Sequence, residues 1–245
     1  MMNSRFHFDI SALKVSPGEY ACPKCKDVGG FFVWDEDGYQ SFKECECQVP
    51  RKIAELIKNS GVSPEMYEKF TLDSFREDTP TAAAMKKMAL EFLSDKNAAG
   101  IGYFGRSGTG KTHICIAICN ELTRRELKLH RYFQYNVEMR RLKAAKYDNE
   151  EYFRIMSVFE NAPILYIDDL FKCAMNPVSK SIAGEDLSIM FSLINLRYIN
   201  KLRTIISSEY TVEEISRQDE ALGSRLYEMI APYGLECSGA NRRLR

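Results

Sequence analysis

The segment Gly105–Thr112, with the sequence Gly-Arg-Ser-Gly-Thr-Gly-Lys-Thr, fits the pattern G-x-x-x-x-G-K-[ST] of a phosphate-binding loop. Glycines let the backbone wrap closely around an anion, so that its N–H groups point at the phosphates. We expect Lys111 to reach the β and γ phosphates and the Thr112 hydroxyl to hold Mg²⁺. The residues predicted to bind ATP are Gly105, Arg106, Ser107, Gly108, Thr109, Gly110, Lys111, Thr112 and His113.

The residues on either side of this loop support the same interpretation. An apolar run at 100–104 predicts a buried strand, and the pattern at 113–122 predicts a helix. Strand, loop and helix in this order put a phosphate at a helix N-terminus. A glycine-rich turn that matches by chance is the alternative, and the correct flanks disfavour it.

A second apolar strand, at 163–167, ends in the acids Asp168 and Asp169. This is a Walker B pattern, in which Asp168 holds Mg²⁺ through water and Asp169 orients or deprotonates the attacking water. A strand end with two acids of no catalytic role is the alternative.

A third apolar strand, at 203–206, is followed by Ser207, Ser208 and Glu209. A polar side chain here would lie between Mg²⁺ and the γ-phosphate. Ser208 is our choice of catalytic residue, with Ser207 and Glu209 as candidates for the same position. A solvated strand end without a catalytic role is the alternative.

Four of the eight cysteines cluster near the N-terminus, as Cys22-x-x-Cys25 and Cys45-x-Cys47. The aromatic run and turn between the pairs predict a hairpin. If Cys45 and Cys47 lie on a strand, both sulfurs point to the same side and can join the first pair. The spacing predicts a four-thiolate zinc site, with free thiols or a redox pair as alternatives.

The composition limits the partners that the chain can have. It contains 245 residues with 34 basic and 34 acidic side chains, so no net charge points to nucleic acid or membrane. The first residues lack the apolar stretch of a secretory signal, and no run is long enough to span a bilayer. We therefore expect a cytoplasmic protein that binds no membrane, with cysteines that are not disulfides.

Three segments follow from these patterns. They are a zinc-binding module at 1–50, a helical linker at 51–95 and a nucleotide-hydrolysing core at 96–245. The linker has helical patterns at 51–58 and from Ser63-Pro64, and another helix from Thr79 to about Leu93. Its apolar residues Tyr67, Phe70, Leu72 and Phe75 could form an adenine slot or simply pack against the sheet.

The core alternates strands with helices, which predicts an α/β fold with a five-stranded parallel sheet. Strands are expected at 100–104, 131–135, 163–169, 203–208 and 235–237, and helices at 113–122, 137–146, 149–160, 185–200 and 221–229. Because the strands are parallel, the phosphate loop and the Walker B acids should lie side by side.

Basic residues are frequent between 121 and 146, where Tyr132, Phe133 and Tyr135 interleave with them. Phosphate contact and base stacking would suit single-stranded DNA. The alternatives are a solvated helix surface and a buried strand.

The order of these motifs, with Gly223-Ser-Arg225 and a basic C-terminus, resembles the DnaC/IstB-type AAA+ ATPases, most of all the prophage-type DnaC- and DnaI-like helicase loaders. The resemblance covers about 65–245. It implies that Arg225 is an arginine finger for the neighbouring subunit's γ-phosphate, and that Arg243, or else Arg242, is the sensor-2 residue. The N-terminal module is similar to the zinc-binding helicase-contact domains of some loaders. Asp169 replaces the usual glutamate, which suggests slow Mg²⁺-dependent hydrolysis.

The resemblance therefore implies an ATP-dependent loader that docks on a hexameric replicative helicase, binds single-stranded DNA and self-associates through AAA+ interfaces. One alternative is an IstB-type transposase-helper ATPase. Another is a nucleotide-sensing adaptor that does not hydrolyse ATP.

Overall fold

The computed structural model describes residues 20–174, 176, 181–239 and 241–242. The chain divides after Ala54 into two compact units. Arg243 lies outside the described residues. Within the part described, no helix is long and apolar enough to cross a bilayer.

The first unit contains the predicted hairpin. Its strands β1 (Gly30–Trp34) and β2 (Gln40–Glu44) pair antiparallel, with Phe32 opposite Phe42. The turn is stabilised by Asp35, whose carboxylate accepts the backbone N–H groups of residues 37 and 39. Helix α1 (Gln48–Lys58) follows, and the division between the units falls within it.

The second unit begins with two helices whose starts match the sequence. Helix α2 (Pro64–Lys69) is capped by the Ser63 hydroxyl, with proline in its first turn as predicted. Helix α3 (Pro80–Ser94) is capped by Thr79 in the same way. Both caps satisfy an N–H group that the first helical turn leaves unpaired.

A five-stranded parallel sheet forms the centre of this unit, as predicted. Its strands are β3 (Gly100–Gly105), β4 (His130–Gln134), β5 (Ile164–Leu170), β6 (Arg203–Ser208) and β7 (Gly234–Cys237). Their order across the sheet is β4-β5-β6-β3-β7, and every neighbouring pair is parallel. The carboxyl ends of β3, β5 and β6 therefore meet at one edge.

The connecting helices are α4 (Lys111–Glu126), α5 (Tyr135–Ala144), α6 (Asn149–Glu160), α7 (Gly184–Ile199), α8 (Val212–Gln218) and α9 (Glu220–Ile230). Two differences from the sequence prediction stand out. Tyr135 begins α5 rather than ending β4. Helix α8 is not predicted, although Thr211 and Glu214 form a capping box that marks its start.

Alternate residues of each strand enter cores on opposite faces of the sheet. On β5, Leu165 and Ile167 face the core shared with α5 to α9, whereas Ile164 and Tyr166 face the core shared with α2, α3 and α4. Both faces of the sheet are thus covered by helices, as a parallel sheet requires. Tyr166 belongs to the same face as α4, the helix that follows the phosphate loop.

The core on the α4 side also contains His130, which is fully buried. Its Nδ1 lies 2.7 Å from the Thr123 hydroxyl. Burial lowers the pKa of His130 from its ordinary 6.5 to about 4. Between these values the unfolded chain binds a proton that the folded chain does not, so stability rises with pH across this window.

We expect acidification to destabilise the fold through this histidine. The contribution is retained above pH 6.5 and is lost as the pH falls toward 4. Between pH 7 and pH 5 the loss in free energy of unfolding should be about 2 kcal/mol. Urea unfolding followed by circular dichroism at both pH values measures it.

The variant His130→Gln removes the titrating ring and therefore shows how much of the pH dependence of stability comes from this histidine. Between pH 7 and pH 5, the free energy of unfolding of this variant should fall by about 2 kcal/mol less than that of the native protein. Equal losses in the two proteins would contradict this assignment.

Candidate functional site

The predicted phosphate loop leaves the carboxyl end of β3 and runs directly into α4, which begins at Lys111. Gly105, Gly108 and Gly110 have φ values of 101°, 79° and 103°, which glycine adopts without strain. Gly108 is also crowded, since a Cβ there would lie 1.9 Å from Asn241 Oδ1. The loop and the N-terminal N–H groups of α4 can therefore hold an anionic ligand.

The side chain of Lys111 is held inside this loop. Its Nζ donates to the carbonyl oxygens of Gly105 (2.6 Å) and Arg106 (2.8 Å). Burial lowers the pKa of Lys111, while the nearby carboxylates of Asp169 and Glu209 act in the opposite direction. The Lys111 side chain is thus positioned within the phosphate-binding loop by two backbone carbonyls.

Asp168 ends the Walker B strand next to the phosphate loop. Its Oδ1 accepts the Thr112 hydroxyl at 3.3 Å, although 56 residues separate the two. A hydroxyl and a carboxylate oxygen are ligands that suit hydrated Mg²⁺. The donor set is therefore of the right chemistry, and in the right place, for the metal that accompanies a nucleotide.

Three further hydroxyl groups surround the same carboxylate. Oδ1 also accepts from Tyr166 (2.5 Å) and Ser207 (2.7 Å), and Oδ2 accepts from Tyr132 (2.7 Å). Burial raises the pKa of both tyrosines well above their ordinary value, so they remain protonated donors. No sequence motif predicts this role for either tyrosine, although Tyr166 and Asp168 lie two residues apart on one strand and so share a face.

Asp169 is held differently from its neighbour. It has a positive φ of 55°, and its N–H donates to the Ser207 hydroxyl at 3.0 Å. Its carboxylate pairs with Lys172 at 2.7 Å, and Lys172 also lies 3.4 Å from Glu209. The hydrogen bond with Asp169 raises the pKa of Lys172. One lysine thus links the second Walker B acid to the end of β6.

The structure brings Ser207, and not Ser208, to the Walker B acids. Ser208 is buried, its hydroxyl donates to the Leu170 carbonyl at 2.8 Å, and it accepts the N–H of Tyr210. Alternate residues of a strand point to opposite faces, so only one of these two serines can face Asp168. The choice of Ser208 therefore does not fit the geometry, and Glu209 reaches the site through Lys172.

His113, on the first turn of α4, lies in an aromatic cluster. Its ring centroid is 4.8 Å from that of Phe70 and 5.1 Å from that of Phe75, and Nε2 contacts the Thr71 carbonyl at 3.0 Å. Burial lowers the pKa of His113. The segment before α3 therefore packs directly on the start of α4, with Phe75 beside Gly110 of the loop.

The four N-terminal cysteines meet in the first unit. Their sulfur atoms all lie within 4.8 Å of one another, with Cys22 to Cys45 at 3.7 Å and Cys25 to Cys47 at 3.5 Å. Tetrahedral zinc with bonds of about 2.3 Å separates its sulfurs by about 3.8 Å. The cluster therefore fits zinc in ligand type, number and spacing.

Cys45 and Cys47 do not lie on a strand, so the predicted convergence by strand alternation is wrong. Strand β2 ends at Glu44, and both cysteines lie in the turn that leads into α1, where the N–H of Gln48 donates to the Cys45 carbonyl. The turn, rather than strand alternation, directs both sulfurs inward. The Gln48 side chain also contacts Cys47 Sγ at 3.4 Å.

Comparison with known proteins agrees with this geometry. The family described as IstB-like ATP binding protein matches residues 43–231. This chain belongs to that family. The phage-like element PBSX protein XkdC of Bacillus subtilis (strain 168) is 32% identical over 231 residues, which cover 90% of this chain and 84% of XkdC.

Two comparisons connect this IstB-like chain with proteins named as helicase loaders. The replicative helicase loader DnaI of Bacillus subtilis (strain 168) is 25% identical over 220 residues, covering 81% of this chain and 68% of DnaI. The crystal structure of the DnaC helicase loader superposes with a TM-score of 0.61, covering 72% of this chain and all of that chain, at 20% identity. The chain thus has the fold of the IstB/DnaC-like AAA+ proteins.

Arg225, the family's expected finger, lies on α9 and has no carboxylate within 4 Å in the described part of the chain. Its Nε donates to Asn195 Oδ1 at 2.6 Å, and its guanidinium lies 4.8 Å from the centre of the Phe191 ring. Neutral groups on α7 therefore hold the cation in place without neutralising it.

Arg242 contacts the phosphate loop. The N–H of Arg242 donates to the Gly108 carbonyl at 3.0 Å, and its guanidinium pairs with Asp78 at 2.7 Å and lies over Phe75. Arg242, the alternative sensor-2 residue, is thus adjacent to the loop. Arg243, the first choice, is not among the described residues.

The basic stretch does not form the aromatic groove that the sequence suggested. Phe133 and Tyr135 are buried in the core, and the Tyr132 hydroxyl is bound to Asp168. Several of the cations already have acidic partners, namely Arg125, Lys128, Arg141, Lys143 and Lys146. Phe133 and Tyr135 are therefore not available for base stacking, and the Tyr132 hydroxyl is engaged at the nucleotide site.

We expect the cysteine cluster to bind one zinc ion per chain. The purified full-length protein should contain about one equivalent by elemental analysis, and Cys45→Ser should lose most of it because one of four ligands is removed. The exposed Cys173 provides the matched control, and Cys173→Ser should keep its zinc. Equal zinc contents in the Cys45→Ser and native proteins would rule the site out.

Proposed function

We propose that this IstB-like chain is an ATP-dependent loader of a replicative DNA helicase. The observation that carries the proposal is the convergence of Lys111, Thr112 and the Walker B acids in one site of an AAA+ chain. The similarity to the loaders DnaI and DnaC supports the assignment of helicase loading rather than another use of ATP.

In this proposal each residue of the site has its own role in phosphoryl transfer. The loop N–H groups and Lys111 bind the phosphates, and Thr112 and Asp168 hold Mg²⁺. When bound, Mg²⁺ neutralises charge that develops between the β and γ phosphates. Ser207 takes the sensor position, because its hydroxyl contacts Asp168 and the backbone of Asp169.

Asp169 is the proposed base or orienting group for the attacking water. Its carboxylate is paired with Lys172 at 2.7 Å. To accept a proton or a hydrogen bond from water, Asp169 has to share its oxygens between that water and Lys172. This competition, together with the short aspartate side chain, accounts for the slow turnover that we propose.

We assign the remaining roles to the three proposed segments of the chain. The zinc module at 1–50 docks on the helicase, the segment 51–95 links it to the core, and the ATPase core at 96–245 self-associates and contacts single-stranded DNA. We assign the DNA contact to phosphates rather than to stacked bases, because the interleaved aromatic rings are buried or bonded.

Two other functions are alternative interpretations of this site, and they would give different experimental results. The family description favours an IstB-type helper of a transposase, which has the same core and a different protein partner. The pairing of Asp169 with Lys172 favours a nucleotide-sensing adaptor that does not hydrolyse ATP. In the adaptor, Thr112→Ala and Asp169→Asn would leave the measured ATPase rate unchanged.

We expect tagged full-length protein with ATP to capture a hexameric replicative helicase from lysate of its host, identified by mass spectrometry. Cys45→Ser/Cys47→Ser should lose the helicase, because the docking module loses its zinc ligands, whereas Cys173→Ser should retain it. Capture of a transposase would favour the IstB-type alternative. An ATPase that captures neither would contradict the loader assignment.

We also expect Arg225 to act on the nucleotide of the neighbouring subunit. Arg225→Ala and Lys111→Ala should each lower the ATPase rate at least about 100-fold, since an arginine finger and the P-loop lysine both stabilise transition-state charge. An equimolar mixture should regain up to about a quarter of native activity, because intact P-loops then meet intact fingers in a quarter of randomly formed interfaces.

The control for this mixing experiment is Arg217→Ala on α8, an exposed arginine paired with Glu213. Its ATPase rate should equal that of the native protein. An Arg225→Ala variant that stays inactive in the mixture would place the role of Arg225 within its own subunit, against the prediction.

A further inference from the structure

Two tyrosines bind the carboxylate of Asp168 from two neighbouring strands. Tyr166 lies on β5, two residues before Asp168, and donates to Oδ1 at 2.5 Å. Tyr132 lies on β4, directly opposite Tyr166 in the strand register, and donates to Oδ2 at 2.7 Å. Each carboxylate oxygen therefore has its own phenol, and the two rings lie 5.4 Å apart.

Packing alone does not require these hydroxyl groups. Tyr166 is fully buried among apolar side chains, where phenylalanine would fill nearly the same volume. A hydroxyl buried without a partner is costly, so a buried tyrosine needs an acceptor. Here both acceptors are oxygens of the one carboxylate that faces Thr112 and the phosphate loop.

Tyr103, on β3, gives the contrast within the same core. It is also fully buried, but its hydroxyl donates to the backbone carbonyl of Met85 at 2.8 Å. Its hydrogen bond therefore joins the sheet to α3 and involves no group of the nucleotide site. A purely structural tyrosine in this fold thus has a different kind of partner.

We propose that Tyr132 and Tyr166 are positioning residues that fix the orientation of the Asp168 carboxylate and thereby set the Mg²⁺ concentration that nucleotide binding requires. Hydrogen-bond partners of a metal-binding carboxylate commonly change metal affinity by about 10- to 100-fold when they are removed. The inference rests on the proposed ATP site, but not on helicase loading.

The geometry suggests how the two phenols share this task. Tyr166, Ser207 and Thr112 all donate to Oδ1, whereas Tyr132 alone donates to Oδ2 among the described hydrogen bonds. Tyr132 therefore fixes the rotation of the carboxylate about its Cβ–Cγ bond. With Tyr132 absent, Oδ2 loses its direct partner and the carboxylate gains freedom to turn.

The test measures binding of a fluorescent, non-hydrolysable ATP analogue to the full-length protein while Mg²⁺ is titrated. Tyr132→Phe and Tyr166→Phe should each need about 10-fold more Mg²⁺ for half-maximal binding, and the double variant up to about 100-fold more. At saturating Mg²⁺ both single variants should bind the analogue as tightly as the native protein. Tyr103→Phe is the matched control and should keep the native Mg²⁺ dependence.

Tyr132→Phe keeps the experiment decisive if Tyr166→Phe does not fold, because Tyr132 is only partly buried. An unchanged Mg²⁺ dependence in Tyr132→Phe would overturn the inference. So would an equal shift in Tyr103→Phe, because it would reflect general loosening of the core. A native protein that binds the analogue with Mg²⁺ but neither hydrolyses ATP nor captures a helicase would refute the proposed function and leave this inference standing.

Discussion

The buried carboxylate of Asp168 is the group on which the rest of this site depends. A charge taken out of water is stable only if hydrogen bonds replace its hydration. Asp168 receives four of them, from Thr112 on α4, Tyr132 on β4, Tyr166 on β5 and Ser207 on β6. The order of the sheet, with β4, β5 and β6 as neighbours, is what brings these donors to one point. A different strand order would leave the same charge without its partners.

The parts of the site that are local in sequence could be predicted, and the parts that depend on strand pairing could not. Motif spacing, together with the flanking strand and helix patterns, predicts the phosphate loop and the two acids, and the predicted parallel five-stranded sheet is confirmed. The role of Tyr132 depends on its register opposite Tyr166, which no local pattern contains. The choice between Ser207 and Ser208 depends on the same kind of information, because a shift of one residue along β6 exchanges the face that meets Asp168.

In the cysteine module, too, the sequence predicts which residues cluster but not the backbone conformation that brings them together. The number and spacing of the four cysteines predict that they cluster, whereas the strand expected at Cys45 and Cys47 is a turn that follows β2. Among residues 20–54, the described part of this unit, the buried residues are Cys25, Gly30 and Cys45. Its hairpin exposes Phe32, Trp34 and Phe42 instead. We expect zinc bound by the four cysteines to supply folding energy to these described residues, so that metal binding and folding are coupled.

Asp169 and Arg225 differ in whether a group of opposite charge in their own chain pairs with them, and this difference is relevant to assembly. Asp169 has a cation from its own chain in Lys172, whereas Arg225 is held by Asn195 and the Phe191 ring. Neutral partners leave the guanidinium able to attract an anion, and its place on α9 fixes where that anion would lie. An acidic partner within the same chain would have satisfied it and removed that attraction. The phosphates of a nucleotide bound by a second copy are anions of the required kind. The way in which Asn195 and the Phe191 ring hold Arg225 therefore supports the self-association that we propose.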